Sequence, residues 1–88
     1  MEKIRIDLVR LKTEEDVLKR FGRLKGMPAD YNSELEELHG ILQAWDKPLK
    51  IEIVIGGNIG PFTKLMEMLE NVRTTNNNLL FVVIMYMA

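Results

Sequence analysis

The order in which hydrophobic periodicity changes along these 88 residues constrains the fold most. Lys3 to Val9 alternates Ile4, Ile6 and Leu8 with Arg5 and Asp7, a period of two that predicts a strand covered on one face. Thr13-Glu14-Glu15-Asp16 offers a helix N-cap with acids in the first turn, and Val17, Leu18, Phe21 and Leu24 follow at helical spacing until Gly26. Gly22 inside that helix costs about 1 kcal/mol relative to Ala. Pro28 and Asp30-Tyr31-Asn32 read as a linker, and Ser33 stands where it would cap a second helix with apolar positions Leu35, Leu38, Ile41, Leu42 and Trp45. Pro48 marks the exit.

Leu49 to Ile55 is rich in β-branched residues and predicts a second strand, after which the loop Gly56-Gly57-Asn58-Ile59-Gly60 leads to Pro61 at the first helical position. Phe62, Leu65, Met66, Leu69 and Val72 make the third helix, which Thr74 to Asn78 breaks. Leu79 to Tyr86 is apolar throughout, the pattern of a strand covered on both faces. The resulting order, β-α-α-β-α-β, predicts an α/β fold in which a three-stranded parallel sheet is packed with helices. A chain of this length builds one core, so residues 1–88 are expected to form a single domain.

Without cysteine there is no disulfide, thiolate metal site or cysteine nucleophile. A reducing compartment suits such a chain. The charged, alternating start lacks the apolar segment of a secretory signal, so a cytoplasmic protein is expected. The last apolar run, Leu79 to Ala88, is half the roughly 20 residues a membrane-spanning helix needs, so no membrane association is expected. Charges of both signs are intermixed without a basic stripe, which argues against nucleic acid as a partner.

The net charge of −1 hides an asymmetry: residues 1–29 sum to +3, residues 30–46 to −5 and residues 47–88 to +1. Asp30, Glu34, Glu36, Glu37 and Asp46 share their segment with no Lys or Arg, and with the only histidine, His39. At 100° per residue, the second helix turns Leu35, Leu38, Leu42 and Trp45 to one side and Glu36, Gly40 and Gln43 to the other. Part of the acidity has a local explanation, because first-turn acids complement the helix dipole and Ser33 with Glu36 has the spacing of a capping box. Asp30 lies outside the helix and is not explained that way. His39 lacks a hydroxyl or thiol partner in the pattern and reads as a packing residue, and Trp45 as a core residue at the helix end. Gly40 in mid-helix reads first as a tolerated weak spot costing about 1 kcal/mol against Ala, and second as bare backbone on the exposed face, open to close approach by a large partner.

Two ligand motifs fail on inspection. Asp30-x-Asn32-x-Glu34 begins like a calcium loop, but Leu35 replaces its glycine and Ile41 its bidentate glutamate. The glycine-rich loop before Pro61 has neither the G-x-G-x-x-G nor the G-K-[ST] pattern. No cofactor, metal or catalytic residue is expected.

The run Met27-Pro28-Ala29-Asp30-Tyr31-Asn32-Ser33-Glu34-Leu35-Glu36-Glu37-Leu38-His39-Gly40-Ile41-Leu42, followed by Trp45 and a strand, resembles the barstar family of intracellular ribonuclease inhibitors. Pro28, Tyr31, Leu35, Glu36, Leu38 and Leu42 match the spacing that opens that family's inhibitory helix, and the element order agrees throughout. The resemblance implies a barstar-like fold and a partner-binding surface of Asp30, Tyr31, Asn32, Glu34, Glu36, Glu37, His39, Gly40, Gln43 and Trp45. It implies that carboxylates stand in for RNA phosphates in the basic active site of a ribonuclease or related toxin. The family's principal inhibitory aspartate falls at Gly40, its aspartate on the preceding turn at Glu36 and its tryptophan at His39. Its late acids in the third helix fall near Asn71 and Thr75, so recognition is expected to shift toward Asp30, Glu34 and Glu37. The expected protein is a non-enzymatic inhibitor or immunity protein, for which a monomer is expected and a dimer is allowed. The alternative is a small structural or homo-oligomeric α/β domain that associates through its apolar last strand.

Overall fold

The computed structural model describes residues 1–86. Strand β1 (Glu2–Asp7) is followed by helices α1 (Glu14–Phe21) and α2 (Leu35–Gln43), strand β2 (Leu49–Ile55), helix α3 (Thr63–Thr75) and strand β3 (Leu79–Met85). The α/β class and the element order agree with the sequence reading. The sheet order is β1-β2-β3, and both pairings are parallel.

Register divides each strand into two faces. Ile51 lies between Ile4 and Phe81, and Ile53 between Ile6 and Val83, on the side that faces the helices. There Ile4, Ile6, Leu49, Ile51, Ile53 and Leu79 join Val17, Phe21, Leu38, Leu42, Leu65, Leu69 and Val72 in one core cluster. On the other face, Lys50 lies between Lys3 and Leu80, and Glu52 between Arg5 and Val82. Glu52 holds both Lys3 and Lys50 at 3.7 Å. The open face is therefore charged over β1 and β2 and apolar over β3.

That distribution corrects the expectation for β3, which is an edge strand and is not covered on both faces. Leu80 on the open face is 51 % exposed, and Val83 and Met85 on the helix side are 54 % and 65 % exposed, so the helices cover β3 only in part. An unbroken apolar run is also what an uncovered strand shows when no side chain signals its exposure.

Helix ends differ from the pattern in instructive ways. Thr13 caps α1 as expected: its hydroxyl accepts from the Asp16 amide while the Asp16 carboxylate accepts from the Thr13 amide. The helix stops at Gly22 rather than Gly26, so Gly22 is a cap residue and carries no helix-interior penalty. A tight turn with Gly26 at φ +88° then brings Leu24 into the core. Pro61 lies in a short 3₁₀ turn, Gly60–Phe62, ahead of α3. At its other end α3 runs through Thr75, and the Thr74 and Thr75 hydroxyls donate back to the Asn71 carbonyl.

Candidate functional site

The acidic segment enters α2 through an irregular turn. Ser33 has φ +59°, a left-handed conformation, whereas an N-cap residue needs extended backbone. Glu34 occupies the cap at φ −104° and ψ 145°, with no side-chain cap bond. The expected Ser33–Glu36 capping box is therefore absent. Glu37 reaches back instead, its Oε1 accepting from the Asn32 amide at 2.8 Å. One acid is thus spent on folding the entry turn, and it is Glu37; Glu36 is left exposed.

Tyr31 anchors the linker. Its hydroxyl donates to the Leu18 carbonyl at 2.7 Å, satisfying one of the orphan acceptors that the last turn of any helix leaves, here that of α1. Burial pushes the Tyr31 phenol up to about 12; the negative charge of Glu37 adds to this, and a hydrogen bond with Ser33 offsets part of it. Tyr31 is half-buried and its hydroxyl is already engaged by the Leu18 carbonyl.

At the far end of α2 the polar contacts come from the Asn run. Asn76 is 8 % exposed, the one buried polar residue among those described. Its Nδ2 donates to the carbonyls of Leu42 and Trp45 at 2.9 Å, with a longer 3.4 Å contact to that of Gln43. Asn78 Nδ2 adds a bond to the Trp45 carbonyl at 3.1 Å. A segment that reads as a simple breaker fastens the C-terminus of α2 to the start of β3.

Between these anchors α2 shows an exposed row of Glu36, Gly40 and Gln43, as the helical projection predicts, and Asp30, Asn32 and Glu34 are exposed beside its start. No atom outside the helix backbone lies within 4 Å of the place a Gly40 Cβ would take. His39 is half-buried, and its Nε2 makes a 2.8 Å hydrogen bond with Asn71 Oδ1 on α3. Gln43 Nε2 donates to the same oxygen at 3.4 Å. The surface thus extends onto α3 through Asn71. Trp45 is 8 % exposed and belongs to the core, with its edge beside Gly26, Pro28 and Ile41.

The ion pairs separate this segment from the rest of the protein. Asp7 pairs with Arg10, Glu15 with Lys19, Glu52 with Lys3 and Lys50, and Glu70 with Arg73. None involves an acid of residues 30–46 among the described residues. Asp30, Glu34, Glu36 and Asp46 stand exposed and outside every ion pair among the described residues; Lys25 and Lys47 line the same groove as Asp46, so the negative field is strongest around Asp30, Glu34 and Glu36. Among the described residues no cluster of three or more His, Asp or Glu side chains is arranged to hold a metal ion. No helix among them is long and apolar enough to cross a membrane.

The loop after β2 has a structural explanation. A Cβ at Gly56 would lie 2.8 Å from Val9 Cγ2 and 3.0 Å from Tyr86 Cβ, which accounts for the glycine by close approach of backbone to side chains. Asn58 Oδ1 accepts from the Gly60 amide at 2.9 Å and closes the turn.

No protein-family model matches the chain, and a search of curated proteins found no match.

Proposed function

We propose that this chain is a barstar-like inhibitor or immunity protein that blocks the basic active site of a ribonuclease or related toxin with the surface from Asp30 to Asp46. The observation that carries the reading is the segregation of charge. Among the described residues every ion pair lies outside the segment, while four of its five carboxylates are exposed and unpaired. Unpaired acids gathered within residues 30–46 repel each other slightly and destabilise the free protein, a cost that a cationic partner would reverse.

Support also comes from how the ridge is held. Tyr31 bonded to α1, Glu37 bonded to the entry turn, and Asn76 bonded to the helix exit fix both ends of α2 by polar contacts that leave the Glu34 and Glu36 carboxylates free to accept from a partner. A preorganised surface loses little entropy on binding. The role requires no chemistry by this chain: carboxylates occupy phosphate positions and accept from the Arg, Lys and His groups the nuclease uses on RNA. With Gly40 in place of the family's principal acid, Glu34, Glu36 and Asp30 supply the charge.

The test is inhibition of RNA cleavage by a panel of small basic microbial ribonucleases. Inhibition that weakens with salt and is lost in the Glu34→Lys/Glu36→Lys double variant supports the reading, since both positions are exposed and the fold is expected to survive. Inhibition unchanged by charge reversal at Asp30, Glu34 and Glu36 would refute the surface.

A further inference from the structure

We propose that β3 is the interface of a two-fold dimer, in which the free edges of two copies pair antiparallel with Val83 on the axis. The strand is bonded on one side only. Tyr86 N donates to the Ile55 carbonyl at 2.7 Å and Leu49 N to the Asn78 carbonyl at 2.9 Å, so the even-numbered residues of this segment turn their backbone groups toward β2. Backbone groups alternate along a strand, so Phe81, Val83 and Met85 turn theirs to the free edge. Leu79 would be next in that series, but its amide already donates to the Asn76 carbonyl at 3.3 Å. The available edge therefore consists of Phe81, Val83 and Met85, centred on Val83.

This edge is complementary to itself. With Val83 opposite Val83 of the second copy, Phe81 falls opposite Met85 and Met85 opposite Phe81, so all three residues exchange both backbone bonds. On the open face the same register sets Val82 against Ile84, and Leu80 against Tyr86. Leu80, Val83, Met85 and Tyr86 are the exposed large apolar residues of this segment, at 51 %, 54 %, 65 % and 56 %. Each meets an apolar side chain across the axis, the kind of cross-strand pair that stabilises sheets. On the helix side, Met66 and Leu69 of α3 line a groove with Phe81 and Val83, bordered by the Glu70–Arg73 pair, and the second strand would lie along it.

Charge selects the second copy as the occupant. No residue of β3 is charged, so a two-fold brings no like charges together. The opposite edge, β1, carries Glu2, Lys3, Arg5 and Asp7, the charged composition that guards an edge against pairing. Head-to-tail addition of β3 to another copy's β1 would set apolar side chains against those charges and would build an open fibre rather than a closed pair. The dimer does not use the exposed row of α2, so it stands or falls separately from the inhibitor reading.

Sedimentation equilibrium of the full chain should give twice the chain mass, and amide exchange should show Phe81, Val83 and Met85 slowed together with Leu80, Val82 and Ile84. Val83→Lys places two ammonium groups on the axis and Val83→Pro removes the central donor without touching the ladder to β2; either should return the monomer mass with an unchanged circular dichroism spectrum. A wild-type monomer up to near-millimolar concentration overturns the proposal, as do edge amides that exchange as freely as unstructured ones. A dimer that persists in both variants overturns it as well. If either variant fails to fold, the wild-type mass and exchange pattern decide alone.

Discussion

Replacing Asn76 by Ala should cost about 3 kcal/mol of stability, because the side chain makes three good hydrogen bonds in a buried position at about 1 kcal/mol each. Two are donated by Nδ2 to the Leu42 and Trp45 carbonyls at 2.9 Å, and the third is accepted by Oδ1 from the Asn78 amide at 2.9 Å. The loss is moderated rather than doubled, since Leu42 O keeps the Trp45 amide at 3.2 Å and Trp45 O keeps Asn78 Nδ2 at 3.1 Å. No acceptor at the helix exit is left wholly unpaired except the weakly bonded Gln43 carbonyl, on an exposed residue. Asn76→Asp should be worse at neutral pH, because it removes the donors and sets a carboxylate against carbonyl oxygens. Burial and those dipoles raise the folded-state pKa of the new carboxyl above its unfolded value. The variant's stability is therefore fullest below the unfolded pKa and falls as pH rises through the folded one. Urea unfolding followed by both circular dichroism and Trp45 fluorescence measures each effect. Against a total of about 5–10 kcal/mol for a domain of this size, a 3 kcal/mol loss is unmistakable. An Asn76→Ala change within about 0.5 kcal/mol of wild type would show that packing alone holds the exit of α2. An Asn76→Asp variant equal to wild type at neutral pH would refute the donor assignment.

Tyr31→Phe removes the bond to the Leu18 carbonyl and should cost about 1 kcal/mol in the same urea assay. The raised Tyr31 phenol binds its proton more tightly in the folded state, so wild-type stability should fall as pH rises from about 10 to about 12, a slope the Phe variant should lack; equal slopes would show that Tyr31 is not its source. Gly40→Ala should stabilise the free protein by up to about 1 kcal/mol, because the site is open and the backbone helical. If Gly40 is where a partner approaches the backbone closely, that same substitution should weaken ribonuclease inhibition while raising the melting temperature, and a gain in both would remove Gly40 from the contact surface. Glu37→Gln keeps an acceptor for the Asn32 amide and should leave the melting temperature within a few degrees, whereas Glu37→Leu should lower it by the value of one hydrogen bond.

Hydrophobic period alone determined the element order, because a strand and a helix bury different sets of residues and each set is written in the sequence. It also fixed which side of α2 faces out: Glu36, Gly40 and Gln43 are exposed because Leu38 and Leu42 have no other way to reach the core. Thr13 capped its helix because both halves of that contact lie three residues apart. What the sequence left undecided depends on groups far apart along the chain. Ser33 has the composition of a cap, but docking of Tyr31 on Leu18 pulls the linker into a left-handed turn that moves the cap to Glu34. That shift assigns Glu37 to the fold and leaves Glu36 to solvent. Asn76 reads as a breaker until the tertiary structure sets it against carbonyls more than thirty residues away. The run in β3 looks the same whether covered or bare, and only the order β1-β2-β3 makes it an edge. Side-chain identity specifies what each segment can bury, but which polar groups and which edges remain unpaired is settled only when distant segments meet.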